Sequence, residues 1–112
     1  MDEKRAQTRL RIHWRVALRR NGQPLLYGET LDVSLAGACV LADCNIVSGN
    51  DIDLFIQIPP KQQGKPMEVV EIRAKVQYTA FSAAHGLWRM GIHFKQIQGG
   101  SAVLERALRQ AG

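Results

Sequence analysis

From Leu10 the chain alternates strictly between apolar and polar residues. Leu10, Ile12, Trp14, Val16 and Leu18 fall on one side, and Arg11, His13, Arg15, Ala17 and Arg19 on the other. Successive side chains of a strand point to opposite faces, so this spacing predicts a half-buried strand. Asn21-Gly22 then gives a hairpin turn, because both residues tolerate positive φ. A second strand is expected over roughly Pro24 to Val33, and a short third one over Gly37 to Leu41, ending in a polar loop from Asp43 to Asn50. Ile52, Leu54, Ile56 and Ile58 alternate with Asp51, Asp53, Phe55 and Gln57 in a fourth strand that Pro59-Pro60 stops. The fifth runs from about Glu68 to Ala80, with Val70, Ile72, Ala74, Val76 and Tyr78 inward and Glu71, Arg73, Lys75, Gln77 and Thr79 outward. In the sixth, Trp88, Met90, Ile92 and Phe94 alternate with Arg89, Gly91 and His93. After Gly99-Gly100, Ser101 is placed to cap a helix whose apolar stripe is Val103, Leu104, Ala107, Leu108 and Ala111.

Six short strands and one helix predict an all-β domain: a six-stranded antiparallel barrel of Greek-key-like type with a C-terminal α-helix packed on it. A sandwich fits the same periodicity, which does not report closure. Residues 1–9 are polar without sustained periodicity and read as a flexible N-terminal arm; residues 10–112 read as the barrel with its helix.

Length and composition fit one soluble domain of 112 residues, with 46% hydrophobic and 22% charged residues. The longest apolar run, Leu35 to Ala42, is far short of the roughly 20 residues of a membrane-spanning helix. Met1 to Arg5 carries no apolar segment of the kind a secretory signal needs, so a cytoplasmic location is expected. Cys39 and Cys44 are then free thiols, and neither they nor the scattered histidines have a zinc-like spacing, so no metal is expected.

Charge changes the picture more. Lys4, Arg5, Arg9, Arg11, Arg15, Arg19 and Arg20 face only Asp2 and Glu3 within the first 20 residues, whereas basic and acidic residues balance over the rest. The whole net charge of +5 therefore sits at the N-terminus, which points to a local anionic partner. A solvated basic edge that discourages strand pairing is the plainer alternative.

Catalysis has little support. Ser34 lies in no G-x-S-x-G elbow, and His13, His85 and His93 form no arrangement that points to it. His13 and His93 fall on polar strand faces, and Asp51 and Asp53 share one face where a solvent-facing role is expected. An enzyme is not expected. Anion binding fares better. Arg5 and Arg9 have R-x-x-x-R spacing in the arm, where two guanidinium groups can curl around one phosphate or one purine edge. Arg11 and Arg15 have the same spacing but lie within a strand, about 13 Å apart, too far to close on one small ligand. Asp32-Val33-Ser34-Leu35-Ala36-Gly37 is a D-x-S-x-x-G turn, in which Asp and Ser bond local backbone groups and Gly permits positive φ or a close approach.

Arg5-Ala6-Gln7-Thr8-Arg9 followed by Asp32-Val33-Ser34-Leu35-Ala36-Gly37 resembles the double signature of the PilZ domain, the bacterial receptor module for cyclic di-GMP. Trp88-Arg89-Met90-Gly91-Ile92-His93-Phe94 is similar to that family's closing strand, and the resemblance spans about residues 4 to 110. It implies a six-stranded barrel with a C-terminal helix and no cofactor beyond the ligand. It also implies that Arg5 and Arg9 grip the phosphates and a guanine, that Asp32 and Ser34 bond a guanine and the ribose–phosphate, and that Gly37 allows close approach. Lys4 stands where side-chain choice bears on whether one or two nucleotides bind, and leaves that number open. Tyr78 is the candidate for stacking a base, although its register also reads as inward.

The resemblance implies a stand-alone cyclic di-GMP receptor whose arm orders on binding and presents a surface to a downstream protein partner. A nucleotide-independent adaptor in motility or pilus assembly is the alternative. RNA or single-stranded DNA is not an expected partner, because Trp14, Trp88 and Phe94 alternate as core positions do instead of forming an exposed stacking surface.

Overall fold

The computed structural model describes residues 9–111, as six strands and one helix. The strands are β1 (Arg15–Arg19), β2 (Leu26–Val33), β3 (Gly37–Ala42), β4 (Asp51–Ile58), β5 (Glu68–Ser82) and β6 (Leu87–Gly99); α1 spans Ser101–Ala111. All neighbouring pairs are antiparallel, in the order β1-β2-β3-β6-β5-β4, and β1 pairs with both β2 and β4. The sheet therefore closes into a barrel, which rules out the sandwich. Two meanders, β1-β2-β3 and β4-β5-β6, are joined by a connection that carries the chain from β3 to the far side of β1.

The barrel interior holds the alternating residues of every strand. Val16, Leu18, Val33, Val40, Leu54, Ile56, Ile72, Val76, Met90 and Ile92 are all 2% exposed or less. Ala17, expected on the polar face, is buried as well, because its partners across the sheet are the larger Tyr27 and Phe55. The 43–50 connection is less polar than expected. Ile46 enters the core fully, while Gly49 N–H donates to the Val76 carbonyl (2.7 Å) and Val76 N–H to that of Asn50 (2.9 Å). The outward carboxylates of β4 form ion pairs, Asp51 with Lys95 (3.2 Å) and Asp53 with Arg73 (3.4 Å) and Arg19 (3.6 Å).

At α1 the first helical hydrogen bond runs from Leu104 N–H to the Gly100 carbonyl (2.9 Å). Gly100, with φ of 89°, is thus the cap, and Ser101 is the first residue inside the helix. Leu104, Ala107 and Leu108 bury against the barrel and Val103 packs beside them, but Ala111 is exposed.

Two departures from simple alternation place the functional face. In β2 the register slips between Thr30 and Asp32, and residues 10–14 do not continue β1 as a regular ladder. They run beside β2 instead. Leu10 and Val33 exchange both backbone hydrogen bonds (2.9 and 3.0 Å), and Thr30 N–H donates to the Trp14 carbonyl (2.8 Å). The fully buried Thr30 hydroxyl completes this strap, accepting from Trp14 N–H (2.8 Å) and donating to the Ile12 carbonyl. In β5 a bulge between Val76 and Tyr78 sets both Gln77 and Tyr78 opposite Gly91 and turns both outward. Tyr78, expected inward, is 49% exposed.

Thr30→Val keeps the shape of the side chain but leaves the Trp14 N–H and the Ile12 carbonyl without their partner. A loss of about 1–3 kcal/mol is expected. Urea unfolding should show it as a lower midpoint at unchanged slope.

Candidate functional site

The D-x-S-x-x-G turn links β2 to β3, and its geometry comes from its own side chains. Ser34 Oγ accepts from Ala36 N–H (3.1 Å) and Gly37 N–H (3.2 Å), while Ser34 N–H donates to the Gly37 carbonyl (2.8 Å). Ser34 is consequently 2% exposed, and its hydroxyl is engaged inside the turn. Gly37 serves a close approach within the molecule. A Cβ there would stand 2.4 Å from the Ile92 carbonyl of β6, so only glycine lets the two strands meet. Asp32, at the end of β2, faces outward with its side chain about a quarter exposed.

The strap brings Arg9 to this turn. With Leu10 locked to Val33, the Arg9 guanidinium reaches over and donates from Nη1 to Asp32 Oδ1 at 2.8 Å. The two motif residues, 23 positions apart in the chain, therefore touch. Lys4 and Arg5 lie outside the described residues.

Strand register extends the site across the barrel wall. Asp32 pairs with Cys39, Cys39 with Gly91, and Gly91 with Tyr78, so four strands contribute to one lateral row. At an interstrand spacing near 4.8 Å the row spans about 14 Å. Gly91 leaves a gap in the outer surface that the Tyr78 ring fills: a Cβ at position 91 would stand 1.9 Å from the ring. The Tyr78 hydroxyl continues toward β3 and points at Cys39 Sγ (4.0 Å). The ring thus lies along the sheet with one face against Gly91 and the other toward solvent.

Cys39 also accepts a hydrogen bond from Arg89 Nε (3.3 Å), and the residue is only 2% exposed beneath these two long side chains. The Tyr78 phenol is pushed up from its ordinary pKa by partial burial and then by the Cys39 sulfur. Arg89 and Arg9 oppose that rise. Arg89 and Cys39 are the contributors that sequence reasoning missed. Their only sequence signal is that Arg89 alternates onto the outer face of the strand containing Gly91; cross-strand register is needed to connect them to Asp32.

The arrangement offers a carboxylate acceptor, two guanidinium groups and a flat aromatic face along one open wall. It suits a planar heterocycle with both donor and acceptor edges, attached to an anion. A groove of about 520 Å³ between the Pro59–Glu68 loop and α1, lined by Lys61, Lys65 and Arg106, contains none of these residues.

A family model, the PilZ domain, matches residues 3–110. The chain belongs to the PilZ domain family. The family is one of receptors and adaptors. The PilZ barrel is also seen in two solved structures. One is the inhibitor of motility (MotI/DgrA) of Bacillus subtilis, with a TM-score of 0.73 and 18% identity over 93% of this chain and 49% of that one. The present chain thus spans about half the length of that protein. The other is the PilZ domain with c-di-GMP of YcgR from Escherichia coli, with a TM-score of 0.56 and 15% identity over 92% of this chain and 84% of that one. A search of curated proteins gave no match. No helix among the described residues is long and apolar enough to cross a membrane.

Gly91→Ala must displace the Tyr78 ring, which is free to swing outward because it is the end of a flexible side chain. In a Cys44→Ser background, the remaining thiol at Cys39 should then react with a thiol reagent severalfold faster than in the parent. An unchanged rate would mean that Tyr78 is not what shields it.

Proposed function

We propose that this PilZ domain is a receptor for cyclic di-GMP that binds the nucleotide between the arm arginines and the turn at Asp32. The observation that carries this reading is the 2.8 Å contact between Arg9 and Asp32, which brings the two halves of the motif together on an open face. An exposed ion pair of this kind contributes about 0–1 kcal/mol, so exchanging it for ligand contacts is inexpensive. The Asp32 carboxylate would accept from the two N–H donors on one edge of guanine. Arg9, released from Asp32, would join Arg5 on the phosphates or on the O6/N7 edge. Ser34 and Gly37 hold the turn that presents Asp32, and with its hydroxyl bonded inside the turn, Ser34 meets the ribose–phosphate only through a rearrangement of those bonds. Tyr78, flat on Gly91, would stack a base, and Lys4 leaves open whether one or two nucleotides bind.

Binding through Arg5 and Arg9 would fix the arm over the barrel and create a surface for a downstream partner, which makes arm ordering the output of the signal. The likeness to a motility inhibitor supports a second reading, an adaptor whose partner binds with or without nucleotide. A partner recovered in equal yield under both conditions would select that reading.

Isothermal titration with cyclic di-GMP tests the receptor directly. Heat of binding is expected from the intact protein, with the stoichiometry read from the same curve; its absence sinks the proposal. Arg9→Ala should weaken binding by about one to two orders of magnitude, the usual effect of removing a charge-assisted hydrogen bond.

A further inference from the structure

We propose that Arg89 is a third nucleotide-binding arginine, and that it reads the O6/N7 edge of a guanine stacked on Tyr78. This rests on the receptor function proposed above and adds to it a residue outside both arginine and D-x-S-x-x-G motifs.

Arg89 stands two residues before Gly91 on β6, on the same outward face, roughly 7 Å along the strand. Its side chain runs back over the sheet, so that Nε donates to Cys39 Sγ at 3.3 Å, the same sulfur toward which the Tyr78 hydroxyl points. One buried thiol therefore sets the positions of both the aromatic ring and the guanidinium. The hydrogen bond to Cys39 is the main influence that favours the charged form of Arg89, with Tyr78 and then Asp32 adding to it. The guanidinium thus lies over Cys39, the residue that pairs with Asp32 on one side and faces the Tyr78 hydroxyl on the other.

Holding Nε fixes the plane of the guanidinium and leaves the two terminal nitrogens free to donate. Among the described residues the Cys39 thiol is its only hydrogen-bond partner. A planar fork with two unmet donors, beside a ring face that is half exposed, matches the adjacent acceptors O6 and N7 of guanine. Adenine presents an N6 donor where guanine has O6, and it cannot satisfy both donors of the fork. Arg89 is accordingly a source of base specificity. If Arg89 served only to cover Cys39, its removal would leave nucleotide recognition untouched.

The test is titration of wild type, Arg89→Ala and Arg89→Lys with cyclic di-GMP and with cyclic di-AMP, each variant first melted without nucleotide to establish that it folds. Wild type should prefer cyclic di-GMP. Arg89→Ala should weaken cyclic di-GMP at least about tenfold and reduce the preference over cyclic di-AMP by a similar factor. Arg89→Lys keeps the charge without the fork and should recover little of that preference. Cyclic di-GMP binding by Arg89→Ala within twofold of wild type overturns the role of Arg89 while leaving the receptor reading intact. Equal losses for both nucleotides would place Arg89 on a phosphate and overturn the base-edge assignment. A wild-type chain that binds no cyclic di-GMP removes the receptor reading and this inference with it.

Discussion

The Thr30 hydroxyl, buried where β2 slips register, joins the N-terminal segment to the barrel. It accepts from the Trp14 amide and donates to the Ile12 carbonyl, two backbone groups that the slipped register leaves without ladder partners. The segment is thereby held against β2 as far as the Leu10–Val33 pair, and the next residue, Arg9, meets Asp32. A regular ladder would have run on along β1 and kept the guanidinium from the turn. Buried backbone groups need partners, so a side chain that supplies two at once fixes the path of the chain.

Two glycines perform a related service on the other strands. Gly37 brings β3 and β6 close enough for the row from Asp32 to Tyr78 to form, and Gly91 makes the shallow recess in which the Tyr78 ring lies. Above these backbone contacts sits a layer of exchangeable side chains: an exposed ion pair, a half-exposed ring and an arginine held by a single sulfur. The rigid and the adjustable parts of the site are thus divided. The turn at Asp32 is fixed by Ser34 and cannot move without losing four hydrogen bonds, whereas Arg9 can be released at little cost. That division suits the receptor proposed above, whose ligand would replace Arg9 at Asp32 while the turn stays in place.

Much of the fold was legible in the chain. Alternation located four of the six strands and most of the inward residues, because a strand with one buried face must repeat every second residue, and turn residues bounded the other two. The paired motifs identified the family, and the helix stripe was right at Leu104, Ala107 and Leu108. Where alternation failed, a backbone irregularity was responsible. Tyr78 was expected inward because the four inward residues before it, Val70 to Val76, set that phase, and one extra residue in β5 reversed it. Ile46 looked like part of a polar loop, yet the crossing from β3 to β4 drives it into the core. Ser101 looked like a cap, but Gly100, at positive φ, has that place.

What the sequence determined by itself was the period of each strand, the accumulation of positive charge at one end and the presence of both motifs. These are local properties, carried by residues close together in the chain. Only the tertiary structure decided that the sheet closes, that Arg9 reaches Asp32, and that Cys39, Gly91, Tyr78 and Arg89 share one wall with them. Those relations depend on cross-strand register, and register is set by where bulges fall and which backbones approach closely. A bulge leaves no mark on hydrophobic periodicity until the strand beyond it has been paired.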